Sequence, residues 1–132
     1  MIIIAVVAVM IIGAILLFYL FPLIKVEGDS MLPTYTEGEI LIGSRLFDKK
    51  NCKCGSVYII HLRDEESGEP YYIVKRLDRK GYDVRTQQVV YFFLGDNLRV
   101  SADSRIFGYF TPDKVVAKVL GKRGKLNERE SE

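Results

Sequence analysis

The chain changes character once. Residues 1–24 contain no charged side chain and no histidine, and only Gly13 and Pro22 interrupt the run of hydrophobic residues. Beyond residue 24, apolar and polar positions mix over short distances, and every Lys, Arg, Asp and Glu lies there. The first pattern predicts one continuous helix, because 24 residues at 1.5 Å each extend about 36 Å, enough to cross a hydrocarbon core of about 30 Å with some tilt. The second predicts strands. Short β-branched and aromatic runs fall at residues 39–42, 56–62, 71–76, 82–85, 89–94 and 115–120. Turn chemistry separates them at Glu37-Gly38, residues 67–70, Lys80-Gly81, residues 95–97 and residues 111–113. The expected architecture is mainly β: a small antiparallel β domain over residues 25–120, one N-terminal transmembrane helix over 1–24, and a polar tail over 121–132 whose charges alternate.

A cleavable secretory leader would open with basic residues and carry an apolar stretch of about 7–15 residues, and this segment does neither. A retained anchor is expected, with a buried core helix as the alternative. Phe18, Tyr19 and Phe21 gather at its C-terminal end, where aromatic rings favour the membrane–water boundary. The first cation, Lys25, follows on the domain side, so the positive-inside rule does not set the orientation.

The rest of the composition mainly excludes. Eight tyrosines and seven phenylalanines supply the apolar surface that a disordered chain lacks. A net charge of +2 gives no basis for nucleic-acid binding. Cys52 and Cys54 are separated by one residue and His61 is the sole histidine, too few ligands for a zinc site; two free thiols on a loop are expected.

Three blocks carry candidate chemistry: Glu27-Gly28-Asp29-Ser30-Met31-Leu32-Pro33-Thr34, then Tyr72-Ile73-Val74-Lys75-Arg76, then Gly95-Asp96-Asn97 followed by Ser101-Ala102-Asp103-Ser104-Arg105. The first presents a serine in a turn framed by Gly28 and Pro33. Its hydroxyl is a poor nucleophile until a base removes the proton. His61 is one candidate base, although on a strand it shares a face with Ile59 and Val57 and reads more readily as structural. Lys75 is the other. Alternation puts it on the face of Ile73 and Tyr71, where an ammonium would lose hydration, and a base role requires its pKa to fall from about 10.4 by about 2–3. Read from its strand alone, it is as readily a snorkelling surface lysine.

Together the blocks resemble the bacterial-type type I signal peptidases, membrane-anchored proteases with a serine–lysine dyad. The resemblance runs from the apolar segment to about Gly108. It implies Ser30 as nucleophile, Lys75 as general base, and Ser101 as the hydroxyl that hydrogen-bonds and orients the Lys75 amine. It implies ion pairs of Asp96 with Arg76 and of Asp103 with Arg105, otherwise read as surface salt bridges of about 0–1 kcal/mol. Val26, Met31, Ile73 and Val74 would line substrate pockets, or else serve as ordinary core. The Ser30 N–H would be one oxyanion donor; some relatives add a serine hydroxyl two residues earlier, where this chain has Gly28.

The implied activity is acyl transfer without metal or cofactor. Signal peptides would be removed from secreted precursors that carry small side chains at the first and third positions before the cut. The implied setting is the cell membrane, single-pass, with the catalytic domain extracytoplasmic; the partners are precursor proteins and the lipid bilayer, with the oligomeric state open. Two features depart from the family pattern. Leu77-Asp78-Arg79-Lys80-Gly81 stands where a Gly-x-Pro-Gly-Asp turn is usual, and the connection to Asn97 is short, which implies a minimal catalytic domain. Two rivals remain. One is a self-cleaving repressor-type serine–lysine protease, which would carry a DNA-binding domain in place of the apolar helix. The other is a catalytically silent membrane protein that holds peptides or partner subunits on the same scaffold.

Overall fold

The computed structural model describes residues 1–121 of the 132. Beyond Gly121, the polar tail expected over 121–132 lies outside the described residues. The elements in chain order are α1 (Ile2–Leu20), β1 (Leu23–Lys25), β2 (Ile40–Ser44), β3 (Val57–Arg63), β4 (Pro70–Asp83), β5 (Gln88–Leu94), a single helical turn α2 (Ser104–Phe107) and β6 (Val115–Val119). Single 3-10 turns occupy Lys49–Asn51 and Pro112–Lys114. The six strands form one antiparallel sheet in the order β1-β2-β6-β3-β4-β5. The chain is therefore a small, mainly antiparallel β domain preceded by an apolar helix.

No residue of α1 is buried, and the helix is long and apolar enough to cross a membrane. It stops at Leu20, short of the end of the apolar run. Proline removes an N–H and disfavours helical backbone in the residue before it, so Pro22 ends the helix and releases Leu23 and Ile24 to pair with Ile42 and Leu41 as the edge strand β1. Hydrophobicity alone does not distinguish these last residues from the helix.

Strand β3 explains the core. Val57, Tyr58, Ile59 and Ile60 are all buried, so both faces of this central strand are covered. Alternation sends Val57 and Ile59 into one cluster with Val26, Met31, Tyr35 and Val74. It sends Tyr58 and Ile60 into a second cluster with Leu77, Tyr91, Phe93 and Phe110. The Tyr91 hydroxyl donates to the Lys49 carbonyl at 2.5 Å and accepts from the Cys52 N–H at 3.2 Å, so the ring's polar tip is satisfied in the interior. Burial pushes the Tyr91 phenol up to about 12.

The turn expected at Lys80-Gly81 does not form. Gly81 lies inside β4 opposite Val90, and what reads as two strands over 71–76 and 82–85 is one long strand with a bulge near Asp78. Glycine accepts extended backbone as readily as a turn, and here the partner residues in β5 decide. The reversal comes later, between Asp83 and Gln88, with Gln87 at φ 56°. The turn expected at residues 67–70 does fall at the junction of β3, which ends at Arg63, and β4, which begins at Pro70.

Candidate active site

Gly28 leaves the end of β1 with φ 73°, a conformation that favours glycine, and turns the chain into the segment that carries Ser30. The turn is closed by Leu32 N–H to the Asp29 carbonyl at 3.2 Å and Tyr35 N–H to the Met31 carbonyl at 3.0 Å. Met31 and Tyr35 are buried and pin it to the core, while Ser30 is half-buried. From the other side, Asn97 donates its N–H to the Ser30 carbonyl at 2.8 Å and its side-chain amide to the Asp29 carbonyl at 3.1 Å. Gly95 is where these loops close up. A Cβ there would stand 2.6 Å from the Ser30 carbonyl oxygen and 2.1 Å from Ser101 Oγ, so a side chain would force the serine turn away from the loop behind it.

Lys75 approaches from β4. It is 4% exposed, and its Nζ donates to Ser30 Oγ at 2.7 Å. Burial pushes the amine below its usual range, opposed by the negative charges of Asp103 and Asp96. Among the described residues no carboxylate forms a salt bridge with it. The Ser30 N–H enters no backbone hydrogen bond among the described residues.

Both expected ion pairs form. Arg76 grips Asp96 with two bonds of 2.8 Å and donates a third to the Gly55 carbonyl at 2.6 Å, while the Thr34 hydroxyl donates to the same carboxylate. Asp103 is fully buried and accepts from Arg105 Nε at 2.9 Å and from the Gly95 N–H at 3.0 Å. Burial alone would raise its pKa, but the bonds from Arg105 and Gly95 prevail and hold the carboxyl at about 2.

Ser101 departs from expectation. Among the described residues its buried Oγ has no hydrogen-bond partner, so the bond to the Lys75 amine is not made. The hydroxyl lies near enough to Asp103 to favour the ionised carboxylate, yet outside hydrogen-bond geometry. Among the described residues His61 makes no hydrogen bond to Ser30; its ring lies 5.3 Å from that of Tyr72.

A cleft of about 520 Å³ opens beside Ser30 and Lys75. Val26, Met31, Ile73 and Val74 all border it, joined by Leu23, Ile24, Tyr71 and Tyr72. Three of the four expected pocket residues, Val26, Met31 and Val74, are also buried in the core, so the two readings of them describe one set of side chains with two faces. The β1 contribution is hidden in the sequence because it continues the helix's apolar run. Gly95, Asn97 and Thr34 are the other contributors whose part only the contacts reveal; their signal is membership of the same blocks as Ser30 and Asp96. Among the described residues, no three His, Cys, Asp or Glu side chains gather as metal ligands would.

No curated protein matches the chain. Residues 77–121 match the family model for signal peptidase, peptidase S26. This segment holds Asp96, Ser101, Asp103 and Arg105 and stops short of Ser30 and Lys75. Over it the chain is similar to signal peptidases of family S26, which supports a peptidase of that family.

Proposed function

We propose that the protein is a membrane-anchored serine endopeptidase that removes signal peptides from secreted precursors. The observation that carries this reading is the 2.7 Å contact between Ser30 Oγ and a buried lysine amine with no carboxylate partner among the described residues. When that amine is neutral, it accepts the Ser30 proton along the same line as the oxygen attacks a peptide carbonyl. The lysine then returns the proton to the leaving amine, and water activated by the same base hydrolyses the acyl-enzyme. The Ser30 N–H is the oxyanion donor within the chain's own turn; loss of such a donor costs about 2.7–4 kcal/mol in other hydrolases.

The cleft supports an extended substrate. Among the described residues, strand β1 pairs only with β2, and β4 over residues 70–75 pairs only with β3 because the β5 ladder begins at Arg76. Two unpaired strand edges therefore border the cleft, and a peptide laid between them gains main-chain hydrogen bonds, with Val26, Met31, Ile73 and Val74 limiting side-chain size. The 19 residues of α1 extend about 28 Å, close to the thickness of a bilayer core. Anchoring confines enzyme and precursor to one surface and raises their effective concentration. By family analogy the domain stands on the extracytoplasmic side.

The test is cleavage of a secretory precursor by the purified chain in detergent. Wild type and His61→Ala release the shorter mature product, and Ser30→Ala and Lys75→Ala do not. Normal cleavage by Lys75→Ala, or loss in His61→Ala alone, overturns the assignment of the base.

A further inference from the structure

The end of α1 is fastened to the sheet. Arg45 donates its backbone N–H to the Leu20 carbonyl at 2.8 Å and its Nε to the Tyr19 carbonyl at 2.7 Å, and Gly43 donates its N–H to the Pro22 carbonyl at 2.7 Å. The Arg45 guanidinium also lies over the Tyr19 ring, 4.8 Å from its centroid. Carbonyls in the last helical turn lack partners within the helix and carry its partial negative charge, so the guanidinium that bonds the Tyr19 carbonyl is doubly suited to the position. Gly43 permits the close contact: a Cβ there would come within 3.0 Å of the Ala117 Cβ and 3.4 Å of the Pro22 ring. Only Phe21 and Pro22 separate α1 from β1, and β1 borders the cleft. Three strand residues advance about 10 Å, so helix and cleft are joined by a short, hydrogen-bonded path with no free linker.

We propose that Arg45 is a positioning residue that locks α1 to the sheet, fixes the height of Ser30 and Lys75 above the bilayer, and thereby selects precursors by the spacing between apolar segment and cut site. The proposal rests on the peptidase reading above. Tyr19 and Arg45 both suit the membrane boundary, the ring by its amphipathic character and the arginine by burying its stem while its head stays hydrated. A domain that rocked on its anchor would sweep a range of heights and accept many spacings. A locked one accepts few.

The full-length chain in phosphatidylcholine–phosphatidylglycerol vesicles is given precursors whose spacer changes by one residue at a time. The wild-type rate falls about tenfold two residues from the optimum, since small displacements of reacting groups are costly, and Arg45→Ala flattens this to about twofold. A soluble peptide with the same cut sequence and no apolar segment is cleaved equally by both. Arg45→Lys recovers part of the selectivity, because its amine reaches the same carbonyl. An unchanged spacer profile in Arg45→Ala overturns the proposal, as does an equal loss on the soluble peptide. A second reading needs no activity. Cys52 is 1% exposed and Cys54 is exposed, so a maleimide fluorophore reports from Cys54. Time-resolved anisotropy in vesicles gains a nanosecond wobble in Arg45→Ala that wild type and Arg45→Lys lack. Identical decays overturn the lock. A wild type that cuts nothing, beside an Arg45→Ala that wobbles, sinks the peptidase reading and leaves the lock standing.

Discussion

Lys75 and Arg76 are adjacent cations on β4, 4% and 7% exposed, and they meet burial in opposite ways. Arg76 is held by both oxygens of Asp96 and by the Gly55 carbonyl. Lys75 has the Ser30 hydroxyl, while Asp103 and Asp96 reach it only through space. A buried cation with a bonded carboxylate keeps its charge and ties two segments together; one without loses its proton more easily. Side-chain chemistry reinforces the division, because a guanidinium is a poor proton acceptor and an amine is a good one. One step along a strand thus separates a strut from a candidate base.

Replacing the lysine is the largest expected break. Lys75→Met and Lys75→Arg each lower cleavage by about 10⁴- to 10⁶-fold, the range seen when one member of a catalytic triad is removed. Their stabilities diverge. The methionine removes a desolvated amine and leaves the denaturation midpoint unchanged or higher, whereas the arginine adds a permanent buried charge and lowers it. In wild type, kcat/KM rises with pH through the depressed lysine pKa, because only the neutral amine accepts a proton. Stability follows the same direction. The unfolded lysine holds its proton up to 10.5 and the folded one releases it earlier, so stability from this group rises with pH between the two values. A rate profile flat into the acid range contradicts the dyad.

Removing the strut's carboxylate is next. Asp96→Ala strands Arg76 in the interior and costs about 3–5 kcal/mol by chemical denaturation. The double variant Arg76→Met with Asp96→Ala recovers a substantial part. A single-variant cost below about 1 kcal/mol would place the pair with surface salt bridges and erase the contrast with Lys75.

The second pair is weaker. Its aspartate is buried, but Arg105 retains 41% of its side-chain exposure, so water screens the charge. The folded Asp103 pKa of about 2 lies below the ordinary 3.8, so its contribution is present above 3.8 and lost as pH falls toward 2. Asp103→Asn costs at most about 2 kcal/mol near neutrality, with the difference from wild type shrinking across that acid window. A difference constant with pH would assign the loss to packing.

The contrast between these cations was only partly legible in the sequence. Strand alternation left Lys75 evenly balanced between an inward amine and a surface lysine, and only the motif blocks brought Ser30, Lys75, Asp96 and Arg76 into one hypothesis. Alternation says nothing about which carboxylate meets which cation, since that depends on loops 20 or more residues apart, as with Arg76 and Asp96. The strands at 56–62 and 89–94 were readable because buried β-branched and aromatic residues concentrate there. β1 was not, because Leu23 and Ile24 suit a membrane helix and a strand equally. Gly81 misled for a related reason: a turn-forming residue was overruled by pairing with Val90. Gly95 was readable as part of a motif but not as a steric requirement, which exists only once the Ser30 and Ser101 segments converge on it.

Ser101 gives the smallest stability effect and the finest test. Among the described residues its buried hydroxyl has no hydrogen-bond partner, although it lies close enough to Asp103 to favour that carboxylate, and an unsatisfied buried polar group costs about 1–3 kcal/mol. Ser101→Ala removes that group at nearly constant shape, so stability stays level or rises by up to about 1 kcal/mol. The expectation for activity runs the other way. When substrate draws Ser30 Oγ toward its carbonyl, the Lys75 amine needs another partner to hold its direction, and Ser101 packs against the same Gly95 that supports Ser30. Cleavage should therefore fall by about tenfold or more while the chain becomes no less stable. Ser101→Thr, which keeps the hydroxyl but adds a methyl beside Gly95, tests whether space or chemistry sets the effect. A rate unchanged in Ser101→Ala would leave Lys75 oriented by Ser30 alone, and the distinction between base and strut would then rest entirely on the carboxylate that one cation has and the other lacks.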